Sequence, residues 1–252
     1  NFHSSTGLPL LGAAGAGIYH DGLQMTISKS SIHNNHIDSL GFFASAVVLD
    51  GTDAQVEVLN TLIADNGVWP FGEGSRVDGI RINQGDLRVN NSNIGGNRGV
   101  GLRFGSGEEH TLTLRNSVLA FNLLDNCAEF SGVQDFGGPL NPAHIASSDL
   151  TCSLPELASN IEDVDPQLSE LEGRFLTILD VQYFITQYPK VGSVLIDAGS
   201  QIDVGTDNIS ACEATDIRGV ERPITGGLFN FCDVGIYEAD DLIFADGFEF
   251  LD

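Results

Sequence analysis

Asn60-Thr61-Leu62-Ile63-Ala64-Asp65-Asn66, Asn91-Ser92-Asn93-Ile94-Gly95-Gly96-Asn97 and Asn116-Ser117-Val118-Leu119-Ala120-Phe121-Asn122 share one pattern: Asn, hydroxyl, any, aliphatic, any, any, Asn. Lys29-Ser30-Ser31-Ile32-His33-Asn34-Asn35 is a looser copy that precedes them. The hydroxyl positions Ser30, Thr61, Ser92 and Ser117 step by 31, 31 and 25 residues. A unit of that length cannot bury its apolar face alone and must stack on its neighbours, so the repeat predicts a solenoid.

Working outward, each copy follows an alternating stretch: Met25-Thr26-Ile27, Val56-Glu57-Val58, Leu87-Arg88-Val89 and Leu112-Thr113-Leu114. Period-two alternation turns the aliphatic pair inward and leaves Thr26, Glu57, Arg88 and Thr113 as an outward stack. A further strand precedes it around Ile18, Val47, Ile80 and Leu102, with Tyr19, Val48, Arg81 and Arg103 outward. With the Ile32, Ile63, Ile94, Leu119 series as a third inward stack, each repeat has three strand-like segments, which suits a parallel β-helix of three sheets. The closing Asn35, Asn66, Asn97 and Asn122 suit a left-handed backbone and an amide ladder along the axis, a structural role.

The 252 residues carry 11 Lys and Arg against 35 Asp and Glu, a formal charge of −24. Such a surface repels phosphate backbones and excludes a nucleic-acid partner, while it attracts divalent cations. No apolar run reaches the ~20 residues of a membrane helix. The start at Asn1, without Met or a charged n-region, reads as a processed product whose leader, and earlier coils, lie upstream. An uncapped first coil then offers its edges to those coils or to another chain.

Four cysteines allow three pairings. The local one, Cys127–Cys152 with Cys212–Cys232, closes two loops in the non-repeating half and favours an oxidising compartment. We expect residues 1–122 to hold the coils, 123–238 the final coils and a disulfide-tied, loop-rich C-terminal cap, and 239–252 an acidic, aromatic-dotted tail. The class is all-β.

The Gly-Ile/Leu strands followed by Asn-Ser-x-Ile/Leu-x-x-Asn, over roughly residues 17–122, resemble the right-handed parallel β-helix superfamily shared by pectate-lyase-like enzymes and bacterial surface proteins. The end of the chain resembles choice-of-anchor-Q-type bacterial surface proteins. That likeness rests on Asp165-Pro166-Gln167-Leu168, Leu195-Ile196-Asp197-Ala198-Gly199-Ser200, Asp216-Ile217-Arg218-Gly219-Val220-Glu221-Arg222-Pro223 and Cys232-Asp233-Val234-Gly235-Ile236-Tyr237-Glu238. Val194-Leu195 stands where that family has Pro-Ala, and Ile217 where it has Gln. The resemblance implies an exported protein at the outer surface of a bacterium. Physically the block reads as a cap over an open end, with Arg218 or Arg222 forked to Asp197, Asp216 or Asp233.

Polysaccharide lyases of this fold use an outward basic residue to remove the proton α to a uronate carboxylate, with calcium neutralising the charge. The resemblance therefore implies Arg81 and Arg103 as catalytic candidates. Asp50, Asp53, Glu57 and Asp78 are candidate calcium ligands, and Trp69, Phe71 and Arg88 candidate sugar contacts. Against this, Glu57 and Arg88 also suit a cross-coil ion pair, and the two aromatics also suit packing over the flank. No Cys-x-x-Cys, Gly-x-Ser-x-Gly, phosphate loop or His-Glu-x-x-His occurs. The first expectation is a secreted or cell-surface solenoid with a binding, adhesive or scaffold role towards a polysaccharide or cell-surface component. The alternative is a calcium-assisted polysaccharide lyase or hydrolase.

Overall fold

Aliphatic residues recurring at fixed offsets become neighbours across parallel strands, and that pairing builds the core. The structure, a computed structural model, describes residues 14–35, 43–67, 76–105, 110–129, 132–137, 142–175, 183–200, 211–223 and 231–239. Trp69, Phe71 and the tail beyond Ala239 lie outside them. The described residues are all-β, without a helix.

The first repeat contains β1 (Ala14–His20), β2 (Gln24–Ser28) and β3 (Ser31–His33). The second contains β4 (Phe43–Leu59) and β5 (Leu62–Ala64), and the third β6 (Arg76–Asn90) and β7 (Asn93–Gly95). Then come β8 (Leu102–Phe104), β9 (His110–Arg115) and β10 (Val118–Ala120). A further repeat, β11 (Cys127–Ala128), β12 (Val133–Asp135) and β13 (Ala146–Ser147), precedes the antiparallel pair β14 (Glu172–Phe175) and β15 (Tyr183–Thr186).

Two parallel sheets result. One joins β1-β4-β6-β8-β11 and carries β2 beside β4, β9 beside β6 and β12 beside β9; the other runs β13-β10-β7-β5-β3. The first two segments of a repeat run on unbroken in β4 and β6, across a register shift near Asp50, and so share one sheet. Inward columns are Ile18/Val47/Ile80/Leu102, Met25/Val56/Leu87/Leu112 and Ile32/Ile63/Ile94/Leu119, all in one apolar cluster.

The asparagine ladder is present. Asn35 Nδ2 donates to Asn66 Oδ1 at 2.9 Å, Asn66 to Asn97 at 2.8 Å and Asn97 to Asn122 at 2.9 Å. The left-handed backbone, however, belongs to the residue before each ladder Asn: Asn34 (φ 54), Asp65 (φ 52), Gly96 (φ 66) and Phe121 (φ 58). That kink aims the following amide inward. Asn60, Asn91 and Asn116, which open the motif, are also left-handed.

Cys127 pairs in register with Leu102 and so extends the first inward column, and it is disulfide-bonded to Cys152 across 25 residues. Cys212 is bonded to Cys232. Replacing Cys127 and Cys152 together by Ala is expected to cost about 3 kcal/mol, the loop-closure term for a ring of that size. A urea midpoint unchanged by the double substitution would show that the packing around β11 holds the loop without the bond.

The C-terminal block does not sit as foreseen. Its contacts run along the flank of the second sheet, across successive repeats. Leu195 and Val234 pack on Val118, Ala120 and Ala146, while Ile217 and Ile236 pack on Leu62 and Ala64. Most outward side chains of this sheet are apolar or small and need a cover, and Asn93 among them, with asparagines at and beside the start of the motif, supplies polar anchors. Asn60 Nδ2 donates to Thr215 O (2.6 Å), Asn90 Nδ2 to Ala211 O (2.9 Å), and Gly235 N to Asn116 O (2.8 Å).

Candidate functional site

The first sheet leaves its outward face to polar side chains, and two surfaces on it carry the predicted residues. On the column through β4, β6 and β8, Val48, Arg81 and Arg103 are neighbours in register. Arg103 is held on two sides, with Nε on Asp78 Oδ2 and Nη1 on Glu129 Oε1, both at 2.7 Å. Burial works against its charge, but the hydrogen bond and charge of Asp78, then those of Glu129, raise its pKa above the ordinary arginine value. Arg81 Nε donates to Asn83 Oδ1 (2.8 Å), and Asn83 Nδ2 to Asp50 Oδ1 (3.2 Å). Tyr19 closes this chain by donating to Asp50 Oδ2 (2.8 Å). Burial first, then Asp50, pushes the Tyr19 phenol up to about 12. Val48, in the same outward column, is nonetheless fully buried, flanked in register by Tyr19 and Arg81.

The four acids named as calcium candidates do not gather. Asp78 is buried, with Oδ1 accepting from Val100 N (2.7 Å) and Oδ2 from Arg103. Asp50 serves Tyr19 and Asn83, and Asp53 is exposed in the bend of β4. Glu57 lies beside Arg88 in register and pairs with it at 3.0 Å. Among the described residues no group of three or more His, Cys, Asp or Glu is arranged to hold a metal ion.

The second surface is a groove of about 450 Å³ over β2, β4, β6 and β9. Two registered columns make it: Gln24, Gln55, Asp86 and Thr111 in one, Thr26, Glu57, Arg88 and Thr113 in the other. Arg88 spans Glu57 and, at 3.7 Å, Glu213 of the C-terminal block, while Thr111 Oγ1 donates to Asp86 Oδ1 (2.6 Å). The structure thus brings Glu57 and Arg88 into one groove and leaves Arg81 and Arg103 on the neighbouring column. Sequence reasoning missed the Gln24 column, although the alternation that marks Glu57 as outward marks Gln55 equally.

The arrangement offers hydrogen-bond donors and acceptors at regular intervals. It holds Arg103 fully protonated, which is the wrong state for a base. Compared with protein-family models, with curated proteins and with solved structures, the chain matches none of them.

Proposed function

We propose that the chain is an exported right-handed parallel β-helix, with three strand columns per coil, that acts at the outer surface of a bacterium by binding, as an adhesin or scaffold, rather than by turnover. Its ligand on this reading is a neutral polysaccharide laid in the groove formed by the Gln24 and Thr26 columns. The observation that carries the reading is that pair of registered polar columns. Parallel strands place successive side chains roughly 4.8 Å apart, close to the rise of one pyranose, so successive rungs can meet successive sugars. Charge selects among polysaccharides. Arg88 is engaged by Glu57 and Glu213, and Asp86 leaves the groove negative, which repels uronate polymers. Two disulfides fit an oxidising compartment, and among the described residues no helix is long and apolar enough to cross a membrane.

The lyase reading needs a deprotonated base, and the ion pairs on Arg103 oppose that. Immobilised neutral and acidic polysaccharides offered to the full chain test both readings. We expect retention on a neutral member, weakened about tenfold by Gln55→Ala, which removes one bidentate contact worth roughly 1.4 kcal/mol. Absence of retention, or retention indifferent to Gln55→Ala, would overturn the groove assignment. Calcium-dependent growth of an unsaturated, ultraviolet-absorbing product, abolished in Arg81→Ala, would replace it with β-elimination.

A further inference from the structure

Every strand of the first repeat has a partner on one side only. β1 and β2 pair with β4, and β3 pairs with β5; among the described residues no strand lies along their other edges. The inward columns break off at the same place. Ile18, Met25 and Ile32 are only partly buried, whereas Val47, Val56 and Ile63, which follow them in register, are enclosed. At the opposite end the same cluster closes on Phe136, Cys152 and Leu154, all buried. One end of the stack therefore shows water both apolar core and unpaired backbone, the combination that templates strand pairing.

The asparagine ladder stops there too. Asn66 Oδ1 accepts from the backbone N–H of Asn35 (3.0 Å) and Asn97 Oδ1 from that of Asn66 (3.2 Å), in addition to the side-chain amides, so each rung is filled by the repeat before it. Asn35 makes the same onward bond, yet among the described residues nothing donates to its own Oδ1. Charge favours a second copy of this chain as the partner. Between residues 14 and 35 the ionised side chains are Asp21 and Lys29, so this end is formally neutral on a chain of −24, and two copies meet there without the repulsion of their acidic surfaces. The 22 residues from 14 to 35 match the roughly 20–30 that a standard interface engages on each side.

We propose that two copies of the chain join through their first repeats about a two-fold axis. Because the far end is closed, an open end finds its complement only in another open end, which makes the contact isologous and stops assembly at a dimer. Strand direction reverses across the axis, so β3 pairs antiparallel with β3 of the second copy, centred on Ile32, and β1 meets β2. Ile32 then covers Ile32 and Ile18 covers Met25. Asn35 Oδ1 comes opposite Lys29 of the second copy, which has no ion pair among the described residues and supplies the missing donor. The pairing does not depend on what the polysaccharide groove binds.

Sedimentation velocity of the full chain at physiological salt tests it, at concentrations above about 10 μM because interfaces of this size bind with micromolar or tighter affinity. A particle of twice the chain mass is expected. Ile32→Lys, which sets two ammoniums face to face, should weaken the dimer at least tenfold, while Leu150→Lys, at an exposed position just after β13, should leave it intact. Ile32→Cys keeps the position small and apolar, and on oxidation it should give a covalent dimer on a non-reducing gel, which Leu150→Cys should not. A monomer at these concentrations, a dimer indifferent to Ile32→Lys, or no cross-link in Ile32→Cys would overturn the proposal. Dimerisation only after removal of residues 1–13 would overturn it as well, by giving the open end to that segment.

Discussion

Arg222→Ala is expected to cost about 3–5 kcal/mol, the loss typical of a buried ion pair stripped of one partner. The guanidinium is fully enclosed and donates to Asp233 O (2.9 Å), Gly235 O (2.8 Å) and Glu238 Oε2 (3.2 Å). Without it, Glu238 remains a buried carboxylate stripped of the Arg222 charge, to which the Asp233 N–H (3.0 Å) still donates. Arg222→Lys should recover little, because a point charge on a flexible stem cannot serve two carbonyls and a carboxylate. The double change Arg222→Met with Glu238→Leu should recover more than the lysine, since it removes both charges. Urea unfolding reads all three. A lysine variant as stable as the parent would sink the argument.

The same cluster predicts a pH dependence. Asp216, Asp233 and Glu238 face Arg218 and Arg222, one negative charge in excess. Burial, then the charge of Glu238, pushes Asp233 up to about 7, against the pull of two backbone N–H donors and Arg222. A carboxyl raised in the folded state binds its proton more tightly there than in the unfolded chain. Stability therefore rises as pH falls from 8 towards 5, with a slope of at most about 1.4 kcal/mol per pH unit for one proton. Asp233→Asn should flatten that slope. Asp135 acts oppositely: desolvation raises its pKa, but the Arg115 hydrogen bond, the Gly137 N–H and the Arg115 charge together outweigh this and hold it low, so its contribution is lost as pH falls through that depressed value.

How far these features were legible in the sequence depends on the range of the forces behind them. Period-two alternation and steps of 31, 31 and 25 residues between motif hydroxyls were enough to pair Glu57 with Arg88 and to stack Ile32, Ile63, Ile94 and Leu119, because register follows from which face must be buried. The ladder amides were legible for the same reason, and the two disulfides because each closes a short local loop. The fifth repeat was less so, since Cys127 and Ser147 replace aliphatics in their inward columns and the ladder ends on Asn126, whose amide meets the Ser147 and Ser148 hydroxyls.

The position of the C-terminal block was not legible. Ile236 N reaches Asn93 Oδ1 over 143 residues, and no periodicity spans that distance. Of the pairs expected for Arg218 or Arg222, Arg218 sits on Asp216 (2.6 Å), whereas Arg222 meets Glu238 and the Asp233 carboxylate accepts from the Asp197 and Ala239 amides. Alternation likewise placed Val48 outward correctly but is silent about what lies above it. For the binding surfaces, the pattern names outward residues and leaves their pairing open. Arg103 looked available for chemistry until Asp78, at the start of the adjacent pairing, and Glu129 were brought to it.

Asn97→Ala is expected to cost about 3–5 kcal/mol and to do so from the middle of the ladder. The side chain is fully buried; its Oδ1 accepts from Asn66 N (3.2 Å) and Asn66 Nδ2 (2.8 Å), and its Nδ2 donates to Ile63 O (3.1 Å) and Asn122 Oδ1 (2.9 Å). Alanine orphans two N–H donors, each costing about 1–3 kcal/mol where water cannot replace the partner. Asn97→Asp keeps the acceptor but turns a buried carboxylate on two oxygens, so it should be worse than alanine at neutral pH and improve on acidification as the acid regains a donor. Asn35→Ala, at the half-buried first rung, should cost only about 1 kcal/mol, the net worth of one hydrogen bond. The contrast between interior and terminal rungs separates a cooperative amide stack from a row of independent bonds. Equal losses at 35 and 97 would show that the ladder follows the packing of Ile32, Ile63, Ile94 and Leu119 rather than holding it.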